Sequence, residues 1–274
     1  NLPLLGMSID IRIKKGVNIN LKGSAERVYA SIPQAECFAI KPSDFKGLTP
    51  KLSVKAGDKV QAGSSLFFDK ENPSIKITSP VSGEVTEIRR GEKRKILEVV
   101  IKADAEISFI EFPKADAKDL SREQIITQML DAGLWPFVRQ RPYAVIANPY
   151  DMPKAIFISA FDSAPLACDS DFVLHGMEKE FQTGLDIVTK LTEGKTHLNI
   201  DGNANSSSVF TSAKNVQINN FSGVHPAGNV GIQIHHIDPI NKGEVVWYMY
   251  PQDIIAIGRL FSEGKYDATR LIAL

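Results

Sequence analysis

Between Lys51 and Ile101 the chain reads KLSVKAGDKVQAGSSLFFDKENPSIKITSPVSGEVTEIRRGEKRKILEVVI, and no other stretch restricts the fold as much. Val54, Val60, Leu66 and Phe68 alternate with polar positions, as in strands that bury one face. Gly57-Asp58 separates two such runs. Gly63 and Gly83 mark further points where the backbone must turn or adopt positive φ. The stretch is therefore expected to fold as β hairpins.

The spacing V-x-x-G-D-x-V-x-x-G-x-x-L, followed by P-x-x-G-x-V, resembles the biotinyl/lipoyl-like barrel-sandwich hybrid, a small two-hairpin module. In carriers of that kind a lysine at a hairpin tip holds the swinging cofactor, and Asp69-Lys70 has the corresponding place. Nine residues separate Lys70 from Pro80, a longer interval than the carriers show, and Asn72-Pro73 intrudes. Without the flanking pattern, Lys70 reads as an exposed structural lysine, and no covalent cofactor is expected.

A chain of 274 residues has room for two domains, and its 43% hydrophobic content supports a real core. Its 32 basic residues match 32 acidic ones, so no overall field steers it to nucleic acid or anionic lipid. Cys37 and Cys168 stand far apart without CxxC spacing. They read as free thiols in a reduced compartment and exclude a cysteine-built iron–sulfur or zinc site. No window has the apolar length of a membrane span. Asn1–Gly6 is too short, and lacks the basic start, for a secretory signal. Met7 reads as the natural start and the six residues before it as an addition. A soluble, intracellular protein is expected.

Residues 7–103 form the β-rich part of this reading. Ile9, Ile11 and Ile13 alternate with Asp10, Arg12 and Lys14, predicting a strand across Ile9–Ile19 with one dry face. Tyr29–Phe45 contains Pro33 and Pro42 and suits edge strands and loops. After Asp104 the periodicity changes, and 104–274 reads as an α/β domain. Ser121 and Gln124 form a capping box for a helix to Ala132, with Ile125, Ile126, Met129 and Leu130 as its apolar face and Gly133 as its stop. Strands are expected at 144–147, 155–160, 197–200, 215–218 and 245–249. Helices are expected over 178–191, with Phe181, Leu185, Val188 and Leu191 inward, and from Pro251 to Gly264. This alternation predicts a mostly parallel sheet. An apolar strand at 269–274 would be odd as a natural end, so the protein is expected to continue.

Few residues suggest chemistry on their own. The basic run Arg89–Lys95 lacks aromatics and reads as a solvated turn. His235 and His236 diverge on either regular structure, so with Asp238 they make a poor metal site. Gly223–Gly231 suits a tight strand-to-helix turn; its amides could hold an anion, but G-x-G-x-x-G and a Walker lysine are missing. The loop 133–143 gathers Trp135, Phe137, Arg139 and Arg141. These residues suit either a flat hydrophobic ligand met by the arginines or a plug at a domain interface. The sequons at Asn205 and Asn220 carry no meaning in a cytosolic protein. No triad, carboxylate pair or nucleophile elbow emerges.

Six stretches together resemble the A subunit of the sodium-translocating NADH:quinone oxidoreductases. They are IRIKKGVNINLKG, VKAGDKVQAGSSLFFDKENP, TSPVSGEVTEIRRGEKRKI, GLWPFVRQRPY, FDSAPLACDSDFVL and SGVHPAGNVGIQIHHIDP. The resemblance implies a barrel-sandwich hybrid module followed by a Rossmann-like α/β domain similar to the flavin-binding subunit of complex I. It also implies a further small β-grasp-like and helical region beyond residue 274. The subunit would lie on the cytoplasmic face of the bacterial inner membrane, beside the pump's other subunits, and contribute to ubiquinone reduction and to assembly. Flavins and iron–sulfur centres would reside in those other subunits, and the isolated chain would not be catalytic. Trp135, Phe137, Arg139 and Arg141 become candidate quinone contacts.

Related subunits of the Rnf complex and complex I carry an open glycine-rich loop for the FMN phosphate. Here Gly133-Leu134-Trp135-Pro136-Phe137 stands in that place, bulky and one amide short, so neither FMN nor a cluster is expected. Two other readings compete. One is an FMN- and NADH-binding dehydrogenase subunit; the other is a biotin or lipoate carrier fused to an acyl-transfer domain.

Overall fold

A computed structural model of the chain describes residues 8–23, 26–203 and 207–273. Asn1–Met7, and with them the start at Met7, and the sequon at Asn205 lie outside the described residues. Contacts gather into two units: Ala30–Pro149 with Arg259–Thr269, and residues up to Tyr29 with Tyr150–Gly258 and the chain from Arg270. The first strand, β1 (Ile9–Ile13), joins the α/β unit rather than the hairpins.

The hairpin stretch folds as expected. With the residues just before it, it supplies β2 (Cys37–Ile40), β3 (Pro50–Leu52), β4 (Lys59–Val60), β5 (Ser65–Asp69), β6 (Lys76–Thr78), β7 (Gly83–Arg90) and β8 (Ile96–Ala103). These form two antiparallel sheets, β2-β8-β7-β4 and β3-β5-β6. Val60, Leu66, Phe67, Ile77, Val81, Val85, Val99 and Ile101 fill the space between them. Gly57 and Gly63 take positive φ, as their turns demand. Simple alternation fails at one place. A register shift between Ser65 and Phe67 puts both Leu66 and Phe67 fully inside, while Phe68 is half-buried with the Lys51 ammonium over its ring. Lys70 is exposed, and its backbone amide is tied to the Thr49 carbonyl.

Helix α1 (Arg122–Ala132) has the predicted capping box, and Gly133 closes it at φ 77°. Its end is fastened to β6. Thr78 donates to the Ala132 carbonyl (3.1 Å), Lys76 pairs with Asp131 (2.6 Å), and a Cβ on Gly133 would lie 2.2 Å from Thr78 Oγ1. The change of periodicity at 103/104 is therefore not where the contacts divide, because α1 packs with the hairpins. After α1 come β9 (Arg139–Arg141) and β10 (Val145–Ile146), a short antiparallel pair. The buried strand expected at 144–147 is reduced to these two half-buried residues.

The α/β unit continues through β11 (Ala155–Ser159), α2 (Ser170–Val173), α3 (Glu178–Val188), β12 (Lys195–Asp201), α4 (Ser208–Thr211), β13 (Gln217–Gly223), α5 (Val230–Ile237), β14 (Val246–Met249) and α6 (Pro251–Glu263), whose residues to Gly258 belong here. Its strands are parallel in the order β1-β13-β12-β11-β14, with β11 and β14 buried throughout. The strand expected over Ile9–Ile19 ends at Ile13; Val17 and Ile19 are exposed. The turn at Gly16 takes the chain away from the sheet to the His225 carbonyl. In α3, Phe181, Leu185 and Val188 face inward as predicted. Gly184 and Gly258 let α3 and α6 touch backbone to backbone, since Cβ atoms there would meet the Ile254 and Glu180 carbonyls at 2.1 and 2.0 Å. The last described residues form no strand; the Gln252 side chain holds the Leu271 backbone through both its groups.

The clamp at the end of α1 predicts a stability difference between two left-handed glycines. Gly133→Ala should lower the unfolding free energy by about 2 kcal/mol or more, combining backbone strain with the Thr78 clash. Gly176→Ala, at φ 80° in open space, should cost about 1 kcal/mol. Urea unfolding of both variants checks the difference.

Candidate functional site

Two places in the structure carry the fold's functional potential. The first begins at Gly133, whose left-handed backbone turns the chain out of α1 into a 3-10 turn, Trp135–Phe137. Trp135 is fully buried, and its indole N–H donates to the Ala147 carbonyl (2.7 Å). The Ala147 amide donates in turn to the Val138 carbonyl (2.9 Å), so both arms of the β9–β10 hairpin hang from this ring. Phe137, Arg139 and Arg141 are half-buried. In a strand Arg139 and Arg141 share a face, about 7 Å apart, with Gln140 on the other. At the tip, Tyr143 is exposed while its carbonyl accepts from Lys46 Nζ (2.9 Å). Of the four expected contacts, Trp135 supports the loop from inside, and the other three reach the surface in part.

This turn also bears on phosphate binding. The Phe137 and Val138 amides donate back to the Leu134 and Trp135 carbonyls, and Pro136 has none to offer. Two of the turn's amides are thus engaged within it and a third is missing.

The second place is the carboxyl-end edge of the parallel sheet. Strands β11, β12 and β13 progress in one direction, and the chain then crosses to put β14 on the far side of β11. Such a switch point is where open α/β sheets take ligands. The connection after β11 is acidic rather than glycine-rich: Asp169 caps α2, and Asp171 accepts from the Ser207 amide (2.7 Å). The Gly223–Gly231 segment is the strand-to-helix turn expected between β13 and α5, with the Ala227 and Asn229 amides donating to Val224 and Pro226 carbonyls inside it.

Under this edge lies a buried amide ladder that sequence reading missed. Gln233 Nε2 donates to the Phe161 and Ala227 carbonyls (3.4 Å each). Its Oε1 accepts from Asn199 (2.9 Å), whose Oδ1 accepts from Asn219 (2.8 Å). The two carbonyls fix the direction of the whole chain of bonds, because a reversed Gln233 would set oxygen against oxygen. Asn219 Oδ1 is left without a partner among the described residues. Asn219 also reaches His197 Nδ1 (3.3 Å), and that imidazole stacks on Phe157 (4.6 Å between centroids). The available signal was polar residues at alternate positions, His197 with Asn199 and Gln217 with Asn219, inside apolar strands.

The remaining features disperse. His236 hydrogen-bonds the Ile232 carbonyl (2.8 Å), and Asp238 turns to Lys154 (2.6 Å), which also holds Glu244 (2.9 Å). Among the described residues no group of three His, Cys, Asp or Glu side chains could hold a metal ion. The basic run is a turn, with Lys93 and Arg94 left-handed and Arg89 paired to Glu87 and Glu98. Cys37 is exposed, and burial pushes the Cys168 thiol up from its ordinary value.

Burial holds His197 at about 4, well below the imidazole's ordinary 6.5, with Lys195 adding to the shift. Between those values the unfolded chain binds a proton that the folded chain refuses, so stability falls as pH drops through the window. The loss should reach about 1.4 kcal/mol per pH unit from this residue. Urea unfolding at pH 7 and pH 4.5 should show it in the unmodified chain, and His197→Gln should flatten the dependence by that amount.

Family models match both parts of the chain. The NqrA N-terminal barrel-sandwich hybrid domain matches residues 11–104, and the NqrA second alpha/beta domain matches residues 120–266. Proteins named as the A subunit of the Na(+)-translocating NADH-quinone reductase are similar throughout. That of Photorhabdus laumondii is 39% identical over 268 residues, and that of Saccharophagus degradans 38% over 267, each match covering 96% of this chain. The chain spans 59% of the length of either relative. The hairpin module, the α/β unit and these matches agree, and the chain belongs to the NqrA family.

Proposed function

We propose that this chain acts as the NqrA subunit of a Na+-translocating NADH:ubiquinone reductase, lying on the cytoplasmic face of the bacterial inner membrane and contributing to ubiquinone reduction and assembly of the pump. Identity to proteins of that name along 96% of the chain supports the assignment to the complex. No helix among the described residues is long and apolar enough to cross a membrane, which suits a peripheral subunit bound to other subunits. The single observation behind the quinone role is the pinned hairpin: Arg139 and Arg141 share a strand, next to half-buried Phe137, and Trp135 fixes the spacing from below. A guanidinium held there would donate to a quinone carbonyl and stabilise negative charge building on that oxygen as electrons arrive. Phe137 would meet the ring face.

On this reading, flavin and iron–sulfur chemistry stays in other subunits. The Phe137 and Val138 amides of the turn are engaged within it and Pro136 has none, and the connection at the switch point carries Asp162, Asp169 and Asp171 where a phosphate loop would carry glycines. The same features weigh against an FMN- and NADH-binding subunit.

In the assembled complex, Arg139→Ala and Arg141→Ala should each lower ubiquinone reduction about tenfold, the effect of one lost charge-assisted hydrogen bond. NADH oxidation by a soluble acceptor that bypasses the quinone serves as the reference. Unchanged ubiquinone reduction in both variants would remove the hairpin from the quinone step. A visible flavin band in the purified chain would overturn the placement of flavins elsewhere.

A further inference from the structure

Ser163 follows β11 and His225 follows β13, so both stand beyond the carboxyl ends of the parallel strands, on the side where open α/β sheets bind ligands. Ser163 Oγ accepts the Gly228 amide (2.8 Å) and lies 3.0 Å from His225 Nδ1. Among the described residues Nδ1 is the acceptor within reach of the hydroxyl, and a hydrogen given there leaves Nδ1 accepting. With Nδ1 accepting, a neutral ring carries its proton on Nε2. The backbone of the same residue is pinned as well. The His225 amide donates to Asn18 Oδ1 (2.8 Å), and its carbonyl accepts from Val17 (3.1 Å). Gly16 packs so closely that a Cβ would lie 1.8 Å from that carbonyl oxygen. Nε2 makes no hydrogen bond among the described residues, and the ring is half-buried. The backbone and Nδ1 are thus held on one side, while Nε2 on the other side holds nothing among the described residues.

We propose that His225 Nε2–H is a preset donor for the ring carbonyl of a quinone, with Ser163 as the positioning residue. This rests on the reading that the chain takes part in the quinone step, and it adds a contact on the α/β unit separate from the Arg139–Arg141 hairpin. The surroundings favour a neutral acceptor over an anion. Asp162 is exposed beside Ser163 and disfavours phosphate and carboxylate there, while Asp169 is paired with Arg27 and Asp171 accepts the Ser207 amide. Val17 and Leu166, on the segments that hold the pair, are 74% and 81% exposed and offer apolar surface to a ring or tail.

The chain has five histidines, so a two-bond 1H–15N spectrum of histidine-labelled protein resolves them and reads each tautomer directly. The unmodified 274-residue chain is titrated with ubiquinone-1. His225 is expected in the Nε2–H form, with its Nε2 signal moving as the quinone binds. His225→Phe should weaken binding about five- to tenfold, and His225→Gln, which keeps a donor near Nε2, should restore most of it. Ser163→Ala should leave a mixture of tautomers and weaken binding about twofold. If ubiquinone-1 binds while His225 stays unmoved, or finds His225 in the Nδ1–H form, the inference falls and the quinone role stands. If ubiquinone-1 binds neither this chain nor the assembled complex through this subunit, both fall.

Discussion

The bond from the Trp135 indole to the Ala147 carbonyl is the constraint on which the proposed site depends. It buries the largest side chain of the loop completely and satisfies its one polar group in the same step. An indole N–H left unpaired at that depth would cost about 1–3 kcal/mol. The bond joins the 3-10 turn to the chain just beyond the hairpin, so β9 and β10 cannot drift independently of α1. Gly133 makes the geometry available by taking the left-handed turn, and Thr78 leaves no room there for a larger residue. Arg139 and Arg141 inherit a fixed backbone from this arrangement, which lets two long side chains meet a small polar target without a large ordering cost.

The α/β unit relies on a different device. Its interior holds three amide side chains and a histidine where apolar residues would pack more simply. Each amide donor finds an acceptor along the ladder, Asn219 Oδ1 alone being left over among these amides, and the Phe161 and Ala227 carbonyls set one direction for the whole. The ladder ties α5 to β12, β13 and the connection after β11, the same connection that carries Ser163. Close backbone crossing of α3 and α6 at Gly184 and Gly258 supports the sheet from its helices.

What could be read in the sequence was local. Glycine spacing announced the hairpins because each turn needs its own positive φ, and the Ser121–Gln124 box announced α1 because both partners lie within one turn. Residues whose role depends on distant partners were harder. Ile9–Ile13 looks like any amphipathic strand, and only its register with Asn219–Gly223 assigns it to the parallel sheet. Phe68 took the place of Phe67 because a bulge leaves no mark on alternation. Trp135 was visible as unusual, but its inward direction depends on Ala147. Ser163 and His225 lie 62 residues apart, and nothing in either neighbourhood foretells the meeting.

If ubiquinone meets this subunit at the β9–β10 hairpin, a photoreactive ubiquinone analogue should reach it there. Photocrosslinking in the assembled complex, followed by peptide mapping, tests that placement. Labelling is expected within residues 134–146, suppressed by excess ubiquinone. Labelling that excess ubiquinone suppresses, yet that falls wholly on other subunits, would contradict the placement.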